Sequence, residues 1–287
     1  MDEKFLKRMF GTTKLPMIPL SLADFPLKAQ EMTGKMSISG VQPKLSMKLD
    51  RRSGELVPTA EGGEYIIKPQ VNGLLNVPQI ENCCMDIAES LQIDVPVHCL
   101  LSLKDRSWAY VVKRFDRRGK EKIHQEDFVQ ILGKKDKYLG SYEEIGKSLK
   151  NISAVPGLDI QLFFERAVLN FIIGNGDAHL KNFSIQYLEG GSIRLSPAYD
   201  LVCSKLLIPG EEESALTLNG KRNNIKRADF EVVADYFHIP PKVRYERFIG
   251  KSAVFARHIT RSQLTTKEKK IFLEIVKDRY KKMGFTI

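Results

Sequence analysis

Gly174-Asn175-Gly176-Asp177-Ala178-His179-Leu180-Lys181-Asn182-Phe183, followed by Pro197-Ala198-Tyr199-Asp200, sets two carboxylates and a carboxamide along one short stretch of chain. Phosphoryl transfer asks few groups of a protein: a carboxylate to accept the proton of an attacking hydroxyl, and hard oxygen donors for a metal ion. Asp177 suits the first role. Asn182 and Asp200 suit the second, because Mg²⁺ takes one or two side-chain oxygens and completes its shell with water and phosphates. Asn, Gly and Asp are also ordinary turn formers, and read alone the segment is as well described as a polar turn ahead of a hairpin.

The flanking sequence bears on that choice. Leu162 to Ile173 is apolar on all sides, which predicts a buried helix ended by Gly174. A polar loop leaving a buried helix has a rigid support. Phe183-Ser184-Ile185-Gln186-Tyr187 then alternates apolar and polar, Glu189-Gly190-Gly191 supplies a turn, and Ser192-Ile193-Arg194-Leu195 returns. A hairpin brings its two ends together, so Asp200 is expected beside Asn182 although eighteen positions separate them.

The first third of the chain offers a phosphate cradle and a positive charge. Between Met32 and Lys44, Gly34 and Gly40 let the backbone approach an anion, and Leu45 to Leu49 alternates as a strand. The loop matches neither Gly-x-Gly-x-x-Gly nor the Walker A pattern, and on composition it is equally a Ser/Gly-rich surface loop. Glu64 to Pro69 is a short β-rich run containing Lys68, which could reach nucleotide phosphates or could be a solvated strand-end lysine. Glu81, on the helix suggested by Ile80 to Ala88, is a candidate partner for Lys68. An acid in the first turn of a helix is also favoured by the macrodipole without any catalytic role.

Taken together, Ser37-Ile38-Ser39-Gly40-Val41-Gln42-Pro43-Lys44, Ile67-Lys68-Pro69, Val111 to Arg117, Gln125-Glu126-Asp127, the Asp-x-His-x-Lys-Asn core of Asp177 to Asn182, and Pro197 to Asp200 resemble the HipA-type serine/threonine kinases of bacterial toxin–antitoxin systems. The spacing of Asp177, Asn182 and Asp200 also resembles protein-kinase catalytic and metal-binding loops. The resemblance implies an ATP-binding site of Ser37, Ile38, Ser39, Gly40, Val41, Gln42 and Lys44 as phosphate loop, Lys68 as phosphate lysine, Glu81 as its partner, and Lys113, Arg114 and Phe115 beside the adenine. It implies Asp177 as base, with His179 and Lys181 near the transferred phosphate in roles left unseparated. Asn182 and Asp200 become ligands of Mg²⁺, and Ser37 or Ser39 a site of autophosphorylation.

Two departures from the family pattern stand out. Only 36 residues precede Ser37, which resembles the short HipT form, whose partners are a small antitoxin similar to the missing HipA N-terminal subdomain and a DNA-binding HipB-like antitoxin. Asp200-Leu201-Val202 replaces Asp-Phe-Gly, so loop switching through that phenylalanine and glycine is not expected.

Composition sets outer bounds. A chain of 287 residues with 43% hydrophobic content is long enough for one large or two smaller cores and is no disordered chain. Cys83, Cys84, Cys99 and Cys203 have no metal-ligand spacing and read as reduced thiols. No export signal or spanning stretch is visible, which predicts a soluble cytoplasmic protein with no membrane partner. The net charge of +10 resides in Lys221 to Ile287, with 17 Lys/Arg against 7 Asp/Glu. That region reads as helices over Ala228–Phe237, Pro240–Ile249, Ala253–Arg261 and Thr265–Met283, the last opened by the capping box Thr265 to Glu268. Its charges read as solvated helix faces; contact with nucleic acid or an acidic protein is an alternative.

The expected fold is α+β and two-lobed, protein-kinase-like, with a small β-rich N-lobe over 1–115 and a mostly helical C-lobe over 116–287. Within it, Val95 to Leu101 and Trp108 to Val112 are expected to pair across Lys104-Asp105-Arg106, and Arg51 to Gly63 to be an exposed loop. Three functions fit: an ATP-dependent serine/threonine kinase toxin, whose family implies an aminoacyl-tRNA synthetase as substrate; a catalytically silent kinase-like module in an antitoxin–DNA complex; and a small-molecule kinase. Lys68, Asp177, Asn182 and Asp200 together favour the first, since a scaffold needs none of them.

Overall fold

The alternating apolar runs of the first third become strands of one antiparallel sheet. The computed structural model describes residues 1–31, 44–71, 73–74, 76–119 and 121–286. By internal contact the chain divides into Met1–Asn82 with Pro96–Lys122, and Cys83–Val95 with Ile123–Ile287. The first unit carries helices α1 (Glu3–Phe10) and α2 (Asp24–Glu31), strands β1 (Leu45–Asp50), β2 (Glu55–Pro58) and β3 (Tyr65–Pro69), the start of α3 (Val77–Ser90), and strands β4 (His98–Ser102), β5 (Trp108–Lys113), β6 (Arg117–Arg118) and β7 (Glu121–Lys122).

Its main sheet has the order β2-β1-β3-β5-β4. β4 and β5 pair as expected, with His98 opposite Val112 and Ser102 opposite Trp108. Period-two alternation turns Leu45, Met47 and Ile67 onto one face, where they join Met9 and Phe10 of α1 and Phe25 of α2 in a single core. The side chain of Asp2 caps α1 by accepting the Phe5 N–H at 2.8 Å, and Gly11 ends it at φ 66°. Two expectations change here. The segment Arg51 to Gly63 is more than an exposed loop: it contains β2, paired with β1 at the end of the sheet, in which Leu56 is fully buried and its N–H donates to Met17 O. Helix α3 begins at Val77, so Glu81 sits beyond the first turn and the macrodipole does not account for it.

The second unit is mostly helical. It contains β8 (His124–Asp127), α4 (Phe128–Ile131), α5 (Tyr142–Ile152), α6 (Pro156–Ile173), β9 (Ser184–Tyr187), β10 (Ile193–Leu195), α7 (Ser204–Leu207), α8 (Arg227–Tyr236), α9 (Ser252–Arg261) and α10 (Thr266–Lys282). Helix α6 is buried along most of its length, with α5 and α10 packed on it, as a helix apolar on all sides requires. Gly146 lets α5 approach its neighbours closely, since a Cβ there would lie 2.2 Å from the Phe237 ring. Strands β8, β9 and β10 form a small sheet in the order β10-β9-β8. The buried carboxylate of Asp159 ties that sheet to α6: it pairs with Arg194 at 3.0 Å and accepts the Leu195 N–H at 2.9 Å.

Toward the C-terminus, Thr265 and Glu268 form the expected capping box at α10. Pro240 to Ile249 is not the expected helix; it contains only a short 3₁₀ turn at Pro241–Val243. Arg244 anchors that irregular stretch, donating to Ile239 O, which satisfies one main-chain carbonyl, and to Glu231 and Asp235, which ties the stretch to α8. All four cysteines are buried and free of disulfides. Among the described residues, no helix is long and apolar enough to cross a membrane.

Candidate functional site

In the second unit the site grows from the end of α6. Gly174 takes the left-handed conformation at φ 70°, and the Asn175 N–H reaches back to Asn170 O at 2.8 Å, so the helix stops abruptly. The Gly176 N–H donates to Ser204 Oγ at 2.8 Å, and a Cβ on Gly176 would lie 2.4 Å from Glu212 O, so the loop is pressed against the segment following α7. Asp177 comes next and is exposed, its Oδ1 accepting the Tyr138 hydroxyl at 2.8 Å.

His179 behind it is buried. Its Nε2 accepts from Lys137 Nζ at 2.8 Å, and its backbone N–H donates to Asn182 Oδ1 at 3.0 Å. Burial, with the Lys137 ammonium adding to it against the pull of Asp177, pushes the imidazole below its ordinary range, so His179 is neutral at pH 7. Lys181 lies in the 3₁₀ turn Leu180–Asn182, and its carbonyl accepts the Tyr199 hydroxyl at 2.9 Å.

The hairpin delivers Asp200. Phe183 packs its ring 5.3 Å from that of Phe163 on α6, fixing the strand that leaves Asn182. Ser184 and Ser196 close the hairpin base through their hydroxyls at 2.9 Å and through Ser196 N–H to Ser184 O. Asn182 Nδ2 then donates to Asp200 Oδ2 at 3.3 Å. Asp200 holds φ 55°, an unusual state for a non-glycine residue and one that clusters at functional sites. The donor set fits a hard cation: the Asn182 carbonyl oxygen keeps a second lone pair beyond its bond to His179, and Asp200 adds a carboxylate. Among the described residues no cluster of three or more His, Cys, Asp or Glu is built for a metal, so an ion here would need water or phosphate oxygens to complete its shell.

In the first unit Lys68 and Glu81 meet, Nζ to Oε1 at 2.7 Å, with side chains 9% and 1% exposed. The pair is desolvated, and Lys68 Nζ lies 5.7 Å from the centre of the Tyr110 ring. Lys68 is therefore no solvated strand-end lysine. Lys113 turns its ammonium to Arg8 O at 3.0 Å, while Arg114 makes a two-pronged pair with Asp116 at 2.8 and 2.6 Å. Phe115 follows Arg114, and Lys44 stands just ahead of β1. Ser37, Ile38, Ser39, Gly40, Val41 and Gln42 lie outside the described residues.

Tyr138, Lys137, Ser204 and Glu211 escape sequence reading. Burial raises the carboxyl of Glu211, which accepts the Ser204 hydroxyl at 2.6 Å, and the nearby charge of Asp177 raises it further. Tyr138 and Lys137 sit in a run of turn residues thirty-nine and forty-two positions before their partners, and no spacing rule links such distant groups.

The family described as the HipA-like C-terminal domain matches residues 36–270. The chain belongs to that family. Among curated proteins it is 37% identical over 204 residues to "Putative kinase Y4dM" of Sinorhizobium fredii, covering 64% of this chain and 49% of that protein. It is 24% identical over 217 residues to the serine/threonine-protein kinase toxin HipA of Shewanella oneidensis, covering 68% of this chain and 49% of the other. The chain thus spans about half the length of these two relatives. Among solved structures, the complex of Shewanella oneidensis HipA, HipB and operator DNA contains a chain that aligns with a TM-score of 0.71 at 20% identity, over 87% of this chain and 66% of the other. The Helicobacter pylori proinflammatory kinase CtkA aligns with a TM-score of 0.57 at 16% identity, over 79% and 90%. The fold is the two-lobed, kinase-like α+β fold that the sequence predicts.

Proposed function

We propose that this HipA-like chain is an ATP- and Mg²⁺-dependent serine/threonine protein kinase acting as the toxin of a bacterial toxin–antitoxin system. The observation that carries the reading is the meeting of Asn182 and Asp200 at 3.3 Å, with Asp177 five residues before Asn182 in the same loop. In this reading the acceptor hydroxyl attacks the γ-phosphorus of ATP, the bond to the β–γ bridging oxygen breaks, ADP leaves, and the hydroxyl proton passes to Asp177. Asn182 Oδ1 and the Asp200 carboxylate would hold Mg²⁺, which when bound neutralises charge on the phosphates. Lys68, oriented by Glu81, supplies a fixed positive charge for the α- and β-phosphates. The neutral imidazole of His179 braces the loop and carries no charge of its own to the phosphate.

The finer parts of the proposal rest on the family. They are an aminoacyl-tRNA synthetase as substrate, self-modification at Ser37 or Ser39, Lys113 to Phe115 beside the adenine, and a DNA-binding HipB-like antitoxin as partner. A likeness to a chain from a complex of HipA, HipB and operator DNA supports the last. The test is to incubate the chain with γ-labelled ATP in a bacterial lysate. A labelled protein is expected from the parent and none from Asp177→Asn. A parent chain that neither labels protein nor hydrolyses ATP would overturn the reading and favour a silent binding module.

A further inference from the structure

Tyr138 is unusually well placed for a residue outside the polar loop. Its hydroxyl donates to Asp177 Oδ1 at 2.8 Å, and its ring stands edge-on to His179 with centres 5.4 Å apart. The segment that bears it is braced along its length. Lys137 O accepts the Leu180 N–H at 3.1 Å, Tyr138 O accepts from Arg222 at 2.6 Å, and Gly140 O accepts the Thr217 N–H at 3.1 Å. Gly140 packs so closely that a Cβ there would lie 2.9 Å from the Leu180 side chain. Lys137, next in the chain, fixes His179. Two consecutive side chains therefore grip the loop at Asp177 and at His179, from a backbone tied down on both sides. Such an arrangement suits a fixed brace better than a lid.

We propose that Tyr138 is a positioning residue of the phosphoryl-transfer site, holding one carboxylate oxygen of Asp177 so that the other is presented to the acceptor hydroxyl. The proposal rests on the kinase reading of this site. A lone aspartate at the exposed end of a loop samples several side-chain orientations, and only one points a lone pair at the incoming hydroxyl. A phenol is a suitable anchor because it donates without taking the proton. Burial, and then the bond to Asp177, push Tyr138 up to about 12, so it remains a donor throughout the working range.

The test compares Tyr138→Phe, which keeps the ring and removes the hydroxyl, with Tyr138→Leu, which removes both. Initial rates of label transfer from γ-labelled ATP to lysate protein are measured across ATP concentrations at fixed Mg²⁺, alongside the thermal unfolding midpoint. The expected result is a kcat about tenfold lower in both variants, with the KM for ATP and the midpoint unchanged. A parent chain that transfers nothing removes the kinase reading and this proposal with it. An active parent with Tyr138→Phe as fast or faster overturns the positioning role alone. So does a loss confined to the KM for ATP, a loss in the leucine variant only, or a loss that tracks a lowered midpoint.

Discussion

Asp177 and Asp200 are both carboxylates, yet their surroundings separate their proposed roles. Asp177 is exposed and touches one neutral donor, which suits a group that must receive a proton; Asp200 is half-buried beside a carboxamide, which suits a shared cation. Asp177→Asn is expected to lower transfer by about 10²–10⁴-fold while ATP binding persists, measured as steady-state rate against calorimetric affinity. Asp200→Ala should weaken binding of Mg²⁺-ATP as well as turnover, and unchanged affinity with unchanged rate would remove Asp200 from the site. The sequence made these residues legible because one hairpin joins them and hairpin signals are local. Lys68 and Glu81 were legible as candidate partners, each with an ordinary reading beside it, since thirteen positions and a strand-to-helix connection separate them and no local rule ties the two. Tyr138 was not legible at all: its partnership depends on how the segment before α5 lies against the loop.

At the scale of elements, local chemistry foretold most of the helices and strands. A glycine stop, a capping box and alternating runs each act within a few residues, and α6, α10, β4, β5 and the β9–β10 hairpin follow from them. Pro240 to Ile249 has helical composition but lacks the helix; Arg244 instead ties the stretch to Glu231 and Asp235 of α8, a tertiary link that local sequence does not announce. The seating of α10 is likewise tertiary. Arg279, almost fully buried, and Lys282 both donate to Glu213, and the Arg279 guanidinium lies 4.6 Å from the Phe171 ring of α6. Burial alone would raise the Glu213 carboxyl, but the hydrogen bonds from Lys282 and Arg279 outweigh it and hold the group below its ordinary value of 4.5. Its folded pKa is depressed, so its contribution is complete above about pH 4.5 and is lost as pH falls through the lower folded value. Glu213→Gln is expected to cost about 3 kcal/mol at pH 7, because it strands a buried guanidinium, and to flatten the fall in stability below pH 4.5. Denaturant unfolding across pH 3–7 measures both; a variant with the parent's acid slope would show that Glu213 is not the group responsible.

For the molecule as a whole, the concentration of positive charge after Lys221 is a weaker pointer to nucleic acid than the sequence suggests. Lys221, Arg227, Arg244, Arg247, Arg279 and Lys282 are all engaged by carboxylates, so part of that charge is held in ion pairs within the second unit. Nucleotide binding gives the kinase proposal its sharpest test. The proposal gives Lys68, paired with Glu81, and Asp200, paired with Asn182, each a part in holding Mg²⁺-ATP. A ligand that binds only the folded chain stabilises it by about 2.7 kcal/mol at a hundred times its Kd. For a chain of this size that corresponds to a rise in Tm of roughly 5–10 °C. Mg²⁺-ATP is expected to produce such a rise in the parent, and chelating Mg²⁺ with EDTA to remove most of it. Lys68→Met and Asp200→Ala should each abolish the rise. Lys68→Met also leaves Glu81 as a buried charge and lowers the unliganded Tm, so the quantity to compare is the difference with and without nucleotide for each variant. A full rise retained by either variant would drop the residue replaced out of the proposed site.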